Sequence, residues 1–324
     1  MSRAPTLAAT LGKIGDAALE RTLVAVAGAS AHVACALRTT MVQKVQTTNE
    51  FGDDVLTVDL VADKIICDRL KTTPEVASFS SEEHPELTRC ASSGCFCVTF
   101  DPLDGSSIID CNFSVGSIFG VWRGDTAVGA VIEEALEASV IVVYGPRTTL
   151  FVGHRSFGVL EFFLASVDPN AEDWRLVRSK PFTVADDTKF FSPGNLRAAN
   201  DLPGYRKFLQ EQVRNKKTLR YTGGMVPDVA QILVKGSGIF TTPMAAAHKV
   251  KLRVCFECGP IAHLLTCAGG AAWDGHRPYL QRRVVALDER SAIAVGSKNA
   301  VAGYIKWLQE HPELTQPPKA KAKL

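Results

Sequence analysis

Phe96-Cys97-Val98-Thr99-Phe100 runs without a break into Asp101-Pro102-Leu103-Asp104-Gly105-Ser106-Ser107. A short apolar strand thus delivers a turn with two carboxylates, Asp101 and Asp104, spaced so that both can bend towards one point. Pro102 stiffens that turn, and Gly105 leaves the backbone free to approach a ligand closely. Ser106 and Ser107 are placed to cap a following helix, whose unsatisfied N–H groups favour a phosphate. An Asp-x-x-Asp pair by itself reads as a solvated turn. With an apolar strand before it and Gly-Ser-Ser after it, the pair reads as a site.

Other acidic groups stand around this loop in the sequence. Asp53-Asp54 and Asp59 come earlier, Glu82-Glu83 follows Ser78-Phe79-Ser80-Ser81, and Glu257 lies far downstream in Phe256-Glu257-Cys258-Gly259-Pro260. Taken singly, Asp53 and Asp59 read as a helix cap and a first-turn charge, and Glu82-Glu83 as an acidic loop. Taken together they supply the hard oxygen donors that suit Mg²⁺ or Mn²⁺, cations that hold phosphates. Glu82 and Glu83 are adjacent and diverge, so one can face a metal while the other faces a water. The seven histidines show no His-Glu-x-x-His or other ligand spacing and read as structural. Ser106 has no His/Asp relay in its context, which argues against a serine hydrolase.

Working outward, Val58, Val61, Ala62, Ile65, Ile66 and Leu70 form an i, i+3, i+4 stripe, an amphipathic helix with Asp59 at its start. Residues 7–40 also read as helical. Phe113–Trp122, Val140–Tyr144, Leu150–Gly153 and Leu160–Ala165 read as strands, with a corner at Gly145-Pro146-Arg147. A large sheet therefore dominates residues 1–175, and the polar stretch Asp168–Arg175 marks the connection to a second unit, 176–315. That unit reads as helices near Tyr205–Arg214 and Pro227–Val234, a strand at Ile239-Phe240, and a strand Leu252–Phe256 leading to Glu257. A helix Pro260–Cys267 closed by Gly269-Gly270, a strand Ala292–Val295 and a helix carrying Tyr304, Trp307 and Leu308 follow. The expected fold is α/β with layered sheets and helices.

Composition narrows the function classes. The chain has 324 residues, 46% hydrophobic and 22% charged, enough for one large core or two joined domains. A net charge of +2 gives no general case for nucleic-acid or membrane partners. The nine cysteines are read as reduced, small apolar residues, with Cys90–Cys97 as a redox alternative. No run of consecutive apolar residues reaches a membrane span, and no signal peptide is recognised. After Pro317-Pro318 a flexible tail, 316–324, ends in Ala322-Lys323-Leu324, a variant of the Ser-Lys-Leu address. The expectation is a peroxisomal import receptor as partner and a peroxisome or glycosome-like location, with the cytoplasm as alternative.

The order Gly-Asp…Asp, Ser-Glu-Glu, Asp-Pro-Leu-Asp-Gly-Ser-Ser and a late Glu resembles the fructose-bisphosphatase/sedoheptulose-bisphosphatase family, within the Mg²⁺-dependent, lithium-sensitive sugar phosphatases. Arg220-Tyr221-Thr222-Gly223-Gly224-Met225 and Lys251-Leu252-Arg253 point to the sugar-bisphosphatase branch. Tyr144–Thr149, Phe191–Ala198 and Arg220–Asp228 are similar to its sedoheptulose-specific members. Ile108 and Thr242 stand where fructose-specific members carry Asn and Tyr.

The resemblance implies a layered αβαβα sandwich that hydrolyses the 1-phosphate of sedoheptulose 1,7-bisphosphate, with fructose 1,6-bisphosphate as the alternative substrate. It implies two or three Mg²⁺ (or Mn²⁺) held by Glu82, Asp101, the Leu103 carbonyl, Asp104 and Glu257. It gives Asp53 the support of a closing loop and makes Asp59 and Glu83 a dyad that orients and deprotonates water. It assigns substrate contacts to Gly105, Ser106, Ser107, Asn195, Arg220, Tyr221, Gly224, Met225, Lys251 and Arg253. It also implies a homodimer or homotetramer in which Arg220 reaches a neighbouring site. A non-catalytic sugar-phosphate binder would lack a ligand, whereas every carboxylate of the set is present.

Overall fold

The computed structural model describes residues 4–48 and 54–312. Asp53 and the Ala322–Leu324 tripeptide lie outside the described residues. The chain starts with helices α1 (Leu7–Leu11) and α2 (Ala17–Thr39), the hairpin β1 (Lys44–Thr48) and β2 (Asp54–Leu56), and α3 (Thr57–Lys71). The helix expected over 7–40 is thus broken, because Gly15 sits at φ +82° and Asp16 starts a new helix by capping Ala18 and Leu19.

Strands β3 (Val76–Ser81), β4 (Thr88–Arg89) and β5 (Phe96–Asp104), the short α4 (Ser106–Ile109), β6 (Val115–Arg123) and α5 (Ile132–Ala135) come next. Strands β7 (Leu136–Tyr144), β8 (Thr148–His154), β9 (Gly158–Leu164) and β10 (Trp174–Leu176) complete a large sheet in the order β10-β9-β8-β7-β6-β5-β3-β4. Its one parallel neighbour pair is β3 with β5; every other pairing in it is antiparallel. The second half contains β11 (Phe190–Pro193), α6 (Pro203–Arg214), β12 (Thr218–Leu219), α7 (Met225–Lys235), β13 (Ile239–Thr242), α8 (Gly259–Cys267), β14 (Ala271–Trp273), β15 (Ile293–Gly296) and α9 (Lys298–Glu310). Its strands run β12-β11-β13-β15-β14.

Alternation along β5 explains the layering. Phe96, Val98 and Phe100 pack with Leu23, Val26, Ile66 and Leu70 of α2 and α3. Cys97 faces the opposite way, into a core shared with Val226 and Val229 of α7 and Ile261 and Leu264 of α8. A strand covered on both faces reads as a continuous apolar run, which is why it was so visible in the sequence. Phe240 and Val295 of the second sheet close the middle layer, while Ile239 and Ala294 face Tyr205, Phe208 and Tyr304 of α6 and α9. The result is the αβαβα sandwich. Helix α2 is long and apolar enough to cross a membrane by length and composition, but most of its apolar window is buried inside the fold.

Two sequence expectations about local structure are corrected. Val254–Cys258 is a turn of π-helix, not a strand. Its apolar residues are buried all round, so periodicity cannot separate a short strand from a helix there. Ser106 and Ser107 lie inside the single turn of α4, and Gly105, at φ +91°, is the residue that precedes it.

Candidate active site

Strands β3 and β5 are parallel neighbours with Ser81 opposite Phe100, so their carboxyl ends open at the same place. This brings Glu82, the first residue past β3, beside Asp101; the Glu82 N–H donates to the Phe100 carbonyl at 3.0 Å. Between Asp101 and Asp104 the pairing with β6 slips, three steps on β5 matching two on β6. Pro102, with no N–H to donate, sits within that bulge, which turns both aspartates towards the opening. The Asp101 carboxylate holds the turn by accepting from the Leu103 N–H at 2.8 Å.

Glu257 arrives from the far half of the chain. The Thr99 hydroxyl donates to the Cys255 carbonyl at 2.7 Å and accepts from the Trp122 indole at 2.8 Å, bolting the π turn to the middle of β5. Glu257 also accepts from the Arg253 N–H at 2.6 Å. Glu82, Asp101 and Glu257 then offer oxygen atoms that all lie within 4.8 Å of one another. Burial, followed by the Glu82 and Glu257 charges, pushes Asp101 well above the usual carboxylate range. Burial, then Glu82, does the same to Glu257. Three hard oxygen donors, two of them with raised proton affinity, fit a divalent cation, which relieves the repulsion that protons otherwise relieve.

The cluster lies in a cavity of about 730 Å³ also lined by Glu83, Leu103, Asp104, Gly105, Ser106, Ser107, Lys251 and Arg253. Eleven of the sequence-selected residues, these eight with the three cluster carboxylates, therefore share one cavity. Asp104 differs from its neighbours. Its carboxylate accepts from the Met225 and Val226 N–H groups at 3.2 and 2.6 Å, capping α7. Burial raises it to about 6 against the pull of those donors. Gly224 is closely packed here: a Cβ would lie 3.3 Å from the Asp104 carboxylate and 3.2 Å from Pro227, so these neighbours would have to give by a few tenths of an ångström.

Arg253 lines the cavity but is only 1% exposed, and its guanidinium pairs with Glu82 at 2.9 Å. Asp59 is buried behind the cavity wall, one oxygen accepting from the Leu56 N–H at 2.9 Å and Leu56 itself lining the cavity. Burial raises Asp59 to about 6. Its other oxygen has no hydrogen-bond partner among the described residues. Five substrate candidates, Gly224 and Met225 at the start of α7 together with Asn195, Arg220 and Tyr221, fall outside the cavity lining. Asn195 spends its amide donors on the Pro243 and His248 carbonyls, at 2.7 and 2.9 Å. Arg220 is exposed, with its guanidinium 5.6 Å from the centre of the Phe190 ring. Tyr221 is half-exposed, and burial, then Asp228 and Asp104, raise its phenol.

Two residues missed in the sequence hold this apparatus. Asp63 accepts from the Ser81 hydroxyl and bonds the His84 ring at 3.0 Å, gripping both flanks of Glu82-Glu83. Its signal was its place one turn after Asp59 on a helix face that is otherwise buried. Asp228 accepts from the Thr222 N–H at 3.0 Å and so anchors the Arg220–Met225 segment. Burial raises it to about 7.

The layered fold, with buried carboxylates at converging strand ends and serines and a lysine around them, defines a phosphatase of the sugar-phosphate class. Residues 14–179 match the family described as "Fructose-1-6-bisphosphatase, N-terminal domain", and residues 184–309 match its C-terminal domain. The chain is 43% identical over 289 residues to the chloroplastic sedoheptulose-1,7-bisphosphatase of Triticum aestivum, covering 88% of this chain and 72% of that one. It is 36% identical to the class 1 fructose-1,6-bisphosphatase of Geobacter sulfurreducens, covering 87% and 88%. A Toxoplasma gondii crystal structure, provisionally designated sedoheptulose-1,7 bisphosphatase, superposes with a TM-score of 0.87 at 35% identity, covering 94% and 99%. The chain belongs to the fructose-1,6-bisphosphatase family. It is a sugar bisphosphatase, a phosphoric monoester hydrolase of a metal-dependent family.

Proposed function

We propose that the enzyme hydrolyses the 1-phosphate of sedoheptulose 1,7-bisphosphate with Mg²⁺ as its cation. The observation that carries the metal is the convergence of Glu82, Asp101 and Glu257 from three distant segments into one buried cluster. These carboxylates, with Asp104 and the Leu103 carbonyl beside them, would hold the cation. When bound, Mg²⁺ draws charge from the phosphate oxygens and makes water more acidic.

The protein groups then have separate tasks. Gly105, Ser106 and Ser107 receive the phosphate that reacts, and Lys251 takes the distal phosphate as a compact positive charge. Glu83 accepts the proton of the attacking water as its oxygen bonds to phosphorus. The bond from phosphorus to the sugar oxygen breaks, and that oxygen takes a proton from solvent water, to which Glu83 later returns the proton it accepted. Asp59 acts at one remove, fixing Leu56 in the cavity wall. Exposed Arg220 is left to meet a neighbouring subunit in a homodimer or homotetramer.

Two features support the seven-carbon substrate. Identity is higher to the sedoheptulose enzymes than to the fructose enzymes. Ile108 packs against Gly105 and Gly223, giving that wall an apolar prop. Measured kcat/KM for sedoheptulose 1,7-bisphosphate should exceed that for fructose 1,6-bisphosphate, and phosphate release should stop with EDTA and return with Mg²⁺. A preference for the six-carbon substrate would replace the first half of this reading. Turnover undiminished by EDTA would remove the second.

A further inference from the structure

Behind the Lys251–Arg253 segment lies a second cavity whose charges the reaction does not use. It has a volume of about 540 Å³ and an apolar floor that includes Met244, Tyr304 and Leu308. Its polar wall holds Arg282, Arg290 and His276 against Asp274. The acids nearby are already neutralised: Arg282 pairs with Asp274 at 3.1 Å and with Glu289 at 2.5 Å. Asp274 also accepts from the His276 and Arg277 N–H groups, both at 2.7 Å. Arg290 and His276 have no ion-pair partner among the described residues. An apolar floor beneath the exposed Arg290 guanidinium and the His276 ring is complementary to an organic anion.

This cavity shares its wall with the active site. The Val254 N–H donates to the Glu289 carbonyl at 2.8 Å and the Ser291 N–H to the Leu252 carbonyl at 3.0 Å, so Arg290 and Arg253 face each other as a bridge. Arg253 in turn pairs with Glu82 of the carboxylate cluster. The loop that begins at Pro243 and Met244 on this cavity ends at Lys251 on the other. Asn195 clasps that loop from below through the Pro243 and His248 carbonyls.

We infer that the second cavity is an effector site for a small organic anion, a phosphate or carboxylate borne on a ring or short apolar body, whose binding shifts the Lys251–Arg253 wall. The coupling half of this inference rests on the bisphosphatase reading; the binding half does not. Phenylphosphonate, whose P–C bond the enzyme cannot hydrolyse, and benzoate serve as probes in titration calorimetry on the full chain with Mg²⁺. Phenylphosphonate should bind wild type and Lys251→Ala alike and weaken by about tenfold in both Arg290→Ala and His276→Ala. Benzoate distinguishes a carboxylate site if it binds the more tightly and shows the same pattern. At saturation the tighter probe should change KM or kcat for the bisphosphate in wild type and leave Arg290→Ala unmoved. Unaltered binding in Arg290→Ala and His276→Ala overturns the site, as does binding lost in Lys251→Ala, which would place the probe in the active site. Binding without any kinetic change overturns the effector role. Failure of the bisphosphatase reading would show separately, as no turnover by wild type without probe.

Discussion

The carboxylate cluster and the Arg220–Tyr221 segment drew attention in the sequence for similar reasons, yet the fold treats them in opposite ways. Glu82, Asp101 and Glu257 are fixed at the ends of buried elements, where like charges are crowded and desolvated. Arg220 and Tyr221 sit on a short surface segment held mainly by Asp228. The cluster spends folding stability on chemistry, whereas the surface segment can be altered at little cost to the fold. Each of the following measurements presses on that contrast.

Asp101→Asn should lower Mg²⁺-dependent phosphate release by about 10³-fold, since it removes an anionic oxygen donor from the cluster that would hold the cation. The same substitution should leave the metal-free melting temperature unchanged or higher, because it relieves repulsion among buried carboxylates. A large fall in melting temperature would make the cluster a structural ion network instead. Arg253→Met should cost about 3–5 kcal/mol in urea unfolding, the usual result of stripping a buried charge of its partner. Added Mg²⁺ should recover part of that loss.

The pH dependence follows from the raised carboxylates. Asp59 and Asp104 at about 6 and Asp228 at about 7 bind protons more tightly folded than unfolded. Their contribution is complete below the unfolded value near 3.8 and is lost as pH rises through 6 to 7. Calorimetry of the metal-free enzyme should therefore show a decline over that window, and the gain on adding Mg²⁺ should be larger at pH 8 than at pH 6. An equal gain at both pH values would contradict proton–metal competition. Arg220→Ala should be the mildest change, within about 0.5 kcal/mol in stability. Its effect should appear in KM; a collapse of the fold would show that the surface segment is not peripheral.

Much of the site was legible because β5 is covered on both faces, so its apolar run points without ambiguity at Asp101. The glycine and serines after Asp104 carried similar weight through turn chemistry. What stayed hidden depends on contacts between distant segments. The ion pair of Arg253 was hidden because nothing in its sequence neighbourhood reveals that Glu82 lies against it. Asn195 looked available because the carbonyls that occupy it belong to residues 243 and 248. Asp63 passed unnoticed because only β3 brings Ser81 and His84 around it. The π turn before α8 escaped because a buried apolar run of that length has no distinctive period.

The parallel pairing of β3 with β5 has a consequence for biosynthesis. Two of the three cluster carboxylates meet as soon as that pair forms, but Glu257 is made more than 150 residues after Asp101 and must dock through Cys255 and Thr99. A ribosome-bound chain lacking its last quarter can therefore build the sheet without building the cluster. A cation that needs all three carboxylates would find its site only after both halves have closed on each other.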